Sequence, residues 1–272
     1  MSIITKLKMN NEKEIYQLGL GVWQSGDETK NAVLAALRAG YRHIDAAAIY
    51  MNEEAVGEAI KESGIPREEL FITTKVWNDD IREHKVKEAL ELSLKKLGLD
   101  YVDLYLIHWP VKGEYINAYK VLEELYENGK TKSIGISNFK AHQLQDLLDN
   151  TNIVPAVNQM EFNPQMQDNE ILQMCRERGI ILEAWSPLGS GACLKDETLR
   201  ILGIRYGKSI AQVIIRWLIQ KGIVVCPKSV HESRIIENAN VFDFNLSDKE
   251  MKLIDGMNRN LRTGPDPDKF NF

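Results

Sequence analysis

The chain has 272 residues and a formal net charge of −5, with 44% hydrophobic and 27% charged residues. This composition is typical of a globular protein and excludes a disordered or fibrous chain, and the acidic balance predicts no nucleic-acid partner. No apolar run approaches the roughly 18 residues that cross a bilayer, and the opening MSIITKLKMN lacks the apolar region of a secretory signal, so we expect no membrane partner and a cytoplasmic location.

Strand and helix patterns alternate along the chain. The segment from Ile4 to Leu18 predicts a β-hairpin around Asn10-Asn11. Eight short apolar, β-branched runs predict strands: QLGLGVW (17–23), YRHID (41–45), LFITTK (70–75), VDLYLIH (102–108), SIGIS (133–137), VPAVNQ (154–159), IILEAW (180–185) and GIVVCPK (222–228). Amphipathic or capped patterns between them predict helices over 27–40, 53–64, 84–98, 115–129, 141–150, 169–179 and 209–222.

The spacing of these elements restricts the fold class. Strand centres follow one another at roughly 21 to 41 residues, which is typical of βαβ units. Eight such units form either a closed (β/α)8 barrel or an open doubly wound sheet, and their compact spacing favours the barrel. The sequence therefore predicts an α/β chain, a TIM barrel with an N-terminal β-hairpin, as one domain over residues 1–272. Its three cysteines lack CxxC spacing, which predicts free buried thiols and no metal site.

Polar and aromatic residues end the predicted strands, which in a barrel meet at the face that bears the chemistry. They are Trp23, Asp45, Lys75, His108, Ser137, Asn138, Gln159, Trp185 and Lys228. Each has a structural alternative: Asp45 can cap a loop, and a lone His108 can be a satisfied core histidine. Their convergence on one mouth is more informative, because Asp45 and Lys75 would have to pair when buried.

A proton donor follows one of these strands. Tyr50 lies five residues after Asp45, and a neighbouring Lys75 ammonium favours the phenolate and so is expected to lower the pKa of the phenol. His108 can donate a hydrogen bond to a carbonyl or shuttle a proton. Together these groups suit protonation of a developing alkoxide. Since no side chain supplies a hydride, that reaction needs a cofactor.

The sequence contains neither GxGxxG after a strand nor GxxxxGK[ST]. A different cofactor site is predicted late in the chain, where Lys228, Ser229 and Arg234 near a helix start suit a phosphate monoester or, alternatively, form a solvated edge. Trp185 can stack on an aromatic ring, and polar groups for a carboxamide come from Ser137, Asn138 and Gln159. An apolar pocket is predicted from three tryptophans that follow strands, Trp23, Trp77 and Trp109.

Five motifs in this order resemble the aldo-keto reductase superfamily: GYRHIDAAAIYMNEEAVG (40–57), HWP (108–110), NQMEFNP (158–164), EAWSPLG (183–189) and PKSVHESRIIEN (227–238). They span nearly the whole chain, and together they are far more specific than any one alone. EAWSPLG and the ending GPDPDKFNF are most similar to bacterial 2,5-diketo-gluconate reductases, glyoxal and methylglyoxal reductases, and protozoan prostaglandin F synthases.

The resemblance implies a function and a set of roles. The implied reaction is NADPH-dependent reduction of a small carbonyl substrate, such as an oxoaldehyde or keto sugar, by a monomer. The implied catalytic tetrad is Asp45, Tyr50, Lys75 and His108, with His108 and the three tryptophans at the substrate. The implied NADPH/NADP+ site comprises the carboxamide-binding residues Ser137, Asn138 and Gln159, the stacking residue Trp185, the 2′-phosphate-binding residues Lys228, Ser229 and Arg234, and the adenine neighbours Glu237 and Asn238.

Two other functions remain open. A non-catalytic nucleotide-binding module would need no proton donor, and a phosphosugar isomerase on the same barrel would turn over without nicotinamide. One departure from mammalian members is the short segment after Met257, which implies a more open pocket because those members carry a long C-terminal loop there.

Overall fold

The computed structural model describes residues 5–269, so the N-terminal four residues and the last three of the GPDPDKFNF ending lie outside it. A parallel sheet contains the strands Gly19–Gly21 (β3), His43–Asp45 (β4), Phe71–Val76 (β5), Leu104–Ile107 (β6), Ile134–Ser137 (β7), Val157–Glu161 (β8), Ile181–Trp185 (β9) and Val224–Val225 (β10). Each overlaps a predicted run; β5 has the predicted length and the other strands are shorter than predicted.

The sheet closes into a barrel. The strands follow one another in chain order, and each neighbouring pair from β3 to β10 is parallel. Two further parallel bridges, Leu18 to Val225 and Gly21 to Lys228, join the first strand region to the last. The (β/α)8 prediction is therefore confirmed, and the open doubly wound alternative was wrong.

The predicted hairpin covers the lower end of this barrel, which is the end where its strands begin. Strands Lys6–Lys8 (β1) and Glu14–Tyr16 (β2) pair antiparallel. Met9, which follows β1, and Ile15 of β2 are buried in an apolar cluster. Its barrel members are Phe71, Leu104, Leu106, Ala156, Val157, Val224 and Cys226. Burial of this apolar surface stabilises the end of the barrel opposite the predicted site.

Helices surround the barrel. They are Thr29–Arg38 (α1), Glu53–Ser63 (α2), Asn78–Arg82 (α3), Val86–Leu97 (α4), Tyr115–Glu127 (α5), Ala141–Asn150 (α6), Asn169–Glu177 (α7), Glu197–Tyr206 (α8), Ile210–Gln220 (α9), Glu232–Ala239 (α10) and Asp248–Asp255 (α11). The seven predicted helices all form, and α10 begins where a helix start was expected near Lys228, Ser229 and Arg234. Helices α3, α8 and α11 were not predicted; α3 has only five residues, and α8 exposes Ile201 and Ile204, which blurs its apolar stripe.

Glycine is required where β3 passes the interior of the barrel. A Cβ added at Gly19 would lie 2.7 Å from Cys226 Sγ and 2.8 Å from His43 Nδ1, so these two side chains fill the space beside the strand. Cys175, Cys193 and Cys226 are all free and buried, as predicted. Within residues 5–269, every helix is too short or too polar to cross a membrane.

Candidate active site

A cavity of about 660 Å³ opens where the barrel strands end. Tyr50 and His108 lie at its wall, and all three predicted tryptophans line it: Trp109 is buried, Trp77 is half-buried and Trp23 is 56% exposed. The structure therefore brings the predicted apolar residues and the predicted proton-transfer groups into one cavity.

Strand register places Lys75 beside Asp45. Asp45 of β4 is paired with Thr73 of β5, and Lys75 is two residues further along β5, on the same inward face. Lys75 Nζ lies 2.6 Å from Asp45 Oδ1 and donates a second hydrogen bond, of 2.8 Å, to the carbonyl of Ala46. Burial lowers the pKa of the Lys75 ammonium, but Asp45 and Tyr50 together raise it by a larger amount. The net pKa therefore lies above its usual range. The predicted buried ion pair forms.

Tyr50 ends a short helical turn, Ala48–Tyr50, that follows β4. Its ring centroid lies 5.1 Å from Lys75 Nζ. Burial raises the pKa of the Tyr50 phenol, and Lys75 lowers it by a smaller amount, so the net pKa is above the ordinary value. The expectation of a lowered pKa was therefore wrong in its net direction: Lys75 acts as predicted, but the loss of hydration outweighs it.

His108 faces Tyr50 from the end of β6. The ring centroids are 5.7 Å apart in an edge-to-face arrangement, and the Trp77 ring lies 5.2 Å from His108. Burial and then the Lys75 charge hold the pKa of the His108 imidazole well below its usual range. The ring is therefore neutral near pH 7 and can donate one N–H to a carbonyl oxygen.

Three predicted carboxamide-binding residues line the adjacent wall. Ser137 Oγ donates to the Gln159 carbonyl at 2.9 Å. The side chain of Asn138, which adopts a positive φ of 68°, donates to the His108 carbonyl and to Ser137 Oγ, and it accepts from Trp185 Nε1 at 2.8 Å. This network fixes the Trp185 ring beside the cavity.

Sequence reasoning missed Glu183, which is fully buried in β9. Glu183 is the register partner of Gln159, whose Nε2 donates to Glu183 Oε1 at 2.8 Å; the Cys226 thiol donates to the same oxygen at 3.3 Å. Burial and then Asp45 raise the pKa of the Glu183 carboxyl to about 7. A glutamate inside the apolar run IILEAW was the signal available in the sequence, because buried charges are rare without a partner.

His43, Glu183 and Cys226 together bring nitrogen, oxygen and sulfur atoms within 4.8 Å of one another. Hydrogen bonds occupy most of these atoms: Cys226 donates to Glu183 Oε1, and His43 Nε2 lies 3.1 Å from Thr73 Oγ1, while among residues 5–269 Glu183 Oε2 is buried without a partner. Burial and Glu183 hold the pKa of the Cys226 thiol well above its usual range, so it is not the thiolate that binds metals. We assign no metal to it.

The predicted phosphate-binding residues follow the last barrel strand in the chain. Lys228 lines the cavity and is exposed, Ser229 is buried, and Arg234 is exposed on α10, the helix whose start was expected there. Among residues 5–269, neither Lys228 nor Arg234 makes an ion pair. Of the predicted adenine neighbours, Glu237 is exposed and Asn238 is buried, both on the same helix.

The C-terminal segment reaches the cavity although it is short. Thr263 donates to Glu161 Oε1 through its backbone N–H and its hydroxyl, both at 2.6 Å, and Gly264 N–H donates to Glu161 Oε2 at 3.3 Å. Lys140 Nζ lies 2.6 Å from Asp266. Thr263 and Gly264 line the cavity, so the segment forms part of its wall. These contacts were not predicted.

The chain is similar to known proteins over nearly its whole length. The model of the "Aldo/keto reductase family" matches residues 17–259. The chain is 50% identical to glyoxal reductase of Bacillus subtilis, over 100% of this chain and 99% of that protein, and 48% identical to methylglyoxal reductase of Escherichia coli K12, over 98% of each. An aldo-keto reductase of Bombyx mori solved in complex with NADP aligns with a TM-score of 0.91 at 38% identity, covering 97% of this chain and 96% of that one.

Proposed function

The chain belongs to the aldo/keto reductase family, and on that premise we propose that it reduces small aldehydes and ketones, oxoaldehydes in particular, to alcohols with NADPH. The observation that supports this most directly is the Lys75–Asp45 pair beneath Tyr50 at the wall of the cavity. A protein that only binds nucleotide has no use for a phenol placed beside a buried ammonium.

Tyr50 is proposed as the proton donor. Because burial raises the pKa of the phenol, it carries its proton at neutral pH. When that proton passes to the alkoxide oxygen, the phenolate left behind lies beside the Lys75 ammonium, which stabilises its charge. Asp45 keeps Lys75 charged and fixed through the 2.6 Å ion pair.

His108 is proposed to orient the substrate. A neutral imidazole donates a hydrogen bond to the carbonyl oxygen without competing with Tyr50 as the acid. The tryptophans Trp23, Trp77 and Trp109 give this part of the cavity its apolar surface. An apolar surround strengthens both hydrogen bonds to the developing oxyanion because it excludes water.

The residues present fit NADPH. Reduced nicotinamide, when bound, supplies the hydride that the carbonyl carbon accepts. Trp185 offers a ring held by Asn138, and Gln159 presents its amide beside it at the same wall. Lys228 and Arg234, which have no ion-pair partner among residues 5–269, are proposed to bind the 2′-phosphate.

The test is oxidation of NADPH in the presence of methylglyoxal, with Tyr50→Phe as the diagnostic variant. Loss of the acid should lower kcat by roughly 100- to 10,000-fold while the Kd for NADPH stays constant. Tyr126→Phe is the matched control, since it removes a phenol hydroxyl from α5 away from the cavity. Wild-type protein that binds NADPH but never oxidises it would support the binding-module alternative, and turnover of a phosphosugar without nicotinamide would support the isomerase.

A further inference from the structure

A buried carboxylate behind the cavity wall accepts a hydrogen bond from one amide that lines the cavity. Gln159 and Glu183 are register partners on β8 and β9, with 2% and 0% of their surfaces exposed. Gln159 Nε2 donates to Glu183 Oε1 at 2.8 Å. Gln159 also lines the cavity.

The chemistry of the pair decides which end of the amide faces the cavity. An ionised carboxylate only accepts hydrogen bonds, so the amide must present its NH2 group to Glu183. The Gln159 Oε1 atom is then left for the cavity side, and within residues 5–269 it has no hydrogen-bond donor. Beside a neutral group that can both donate and accept, the Gln159 amide would not be held in one orientation.

We propose that Glu183 is a positioning residue for the cofactor: by holding the Gln159 amide in one orientation, it makes the site select a nicotinamide ring that carries an N–H donor on its carboxamide. This inference rests on the proposed NADPH-dependent function. Glu183 lies outside the cavity lining, so it acts through Gln159.

The consequence is discrimination against a cofactor that lacks the amide N–H. In 3-acetylpyridine adenine dinucleotide phosphate, a methyl group replaces the carboxamide NH2 and the carbonyl is retained. Wild-type protein leaves Gln159 Oε1 without a donor when it binds this analogue, which should weaken binding by about tenfold relative to NADP+. 2′,5′-ADP, which has no nicotinamide, reports on the rest of the site.

Glu183→Gln tests the proposal with little change in shape. A glutamine at position 183 can donate as well as accept, so Gln159 can turn over and present either end of its amide. We expect the ratio of the analogue Kd to the NADP+ Kd to fall from about ten to about two or less, with the Kd for 2′,5′-ADP unchanged. A variant that keeps the wild-type ratio would overturn the proposal.

A second measurement uses wild-type protein alone, so it does not depend on how the variant folds. Burial and then Asp45 raise the pKa of Glu183 to about 7, so the ratio should fall as the pH drops from about 8.5 to about 6 and the carboxyl gains a proton. A ratio that stays constant over this range would overturn the proposal.

The other groups around Glu183 do not produce this change. His43 has a pKa lowered to about 4 by burial and is neutral throughout, and Cys226 remains a thiol. Lys75 remains an ammonium paired with Asp45. The 2′-phosphate titrates equally in both dinucleotides, so its effect cancels in the ratio. Absence of binding of both NADP+ and 2′,5′-ADP to wild-type protein would instead overturn the proposed function itself.

Discussion

The two ends of the barrel differ in the side chains that their strands point inward. At the base, the inward residues and the hairpin that covers them form an apolar cluster that includes Ile15, Phe71, Leu104 and Val157. Two or four residues further along the same strands, the inward positions are ionic or polar: Lys75 follows Phe71 on β5, and Gln159 and Glu161 follow Val157 on β8. One continuous sheet therefore has an apolar end, at the base, and a charged end, at the mouth.

This difference separates stability from chemistry. Apolar burial at the base contributes directly to folding, whereas Lys75 and Asp45 at the mouth must recover the cost of leaving water through their mutual attraction. Active sites keep buried charges, at a cost in folding stability, where the reaction requires those charges. Substitutions at the base should therefore change stability alone, and substitutions at the mouth should change the reaction.

Lys75→Met should have the largest effect because it leaves Asp45 buried without a partner. We expect unfolding free energy to fall by about 3–5 kcal/mol and kcat to fall by at least about 100-fold. Since Lys75 lowers the pKa of Tyr50, its loss should also move the alkaline limb of the kcat profile to higher pH. Urea unfolding and pH–rate profiles measure these effects.

A double variant, Lys75→Met with Asp45→Leu, is the matched control. It removes the unpaired charge, so stability should recover while kcat does not, which separates the two functions of the pair. If Lys75→Met alone leaves the pH profile unchanged, Lys75 and Tyr50 are not coupled.

Ile15→Ala tests the base. The side chain is fully buried against the lower end of the barrel, so truncation should lower the free energy of unfolding by about 2–5 kcal/mol. The folded variant should keep its kcat, as measured below the unfolding transition. Ile204→Ala, at a position 66% exposed, should change stability by less than about 0.5 kcal/mol. A large loss of kcat in folded Ile15→Ala would contradict the separation of the two ends.

Arg234→Ala should have the smallest effect of these substitutions. It tests the proposed contact between α10 and the 2′-phosphate. Loss of a charge-assisted contact to the 2′-phosphate should raise the Kd for NADPH roughly tenfold to a hundredfold. The Kd for NADH should scarcely change, because NADH has no phosphate there. Fluorescence titration of both cofactors measures this, with the exposed Arg178→Ala as control. Equal weakening of both cofactors would indicate damage to α10 instead of a lost phosphate contact.

Much of the fold and several site residues follow from local pattern. Alternating apolar runs and capped helices predicted all eight barrel strands, the hairpin at Asn10-Asn11 and seven helices, since periodicity and turn chemistry are local properties. The rule that chemistry lies at strand ends then brought Asp45, Lys75 and His108 together. The structure places Asp45 and His108 in the cavity lining and Lys75 behind it, paired with Asp45.

Other features depended on the closed barrel. The Glu183–Gln159 contact arises from the register between β8 and β9, and the Glu161–Thr263 contact joins residues 102 positions apart. The direction of the Tyr50 pKa depended on how much water the finished fold removes from the phenol. The sequence by itself determined the barrel strands, the hairpin, seven of the helices and the polar groups that end the strands, because those are local properties. Only the tertiary structure decided that Glu183 meets Gln159, that Glu161 meets Thr263, and how strongly each buried group is desolvated, because register and burial are properties of the whole assembled sheet.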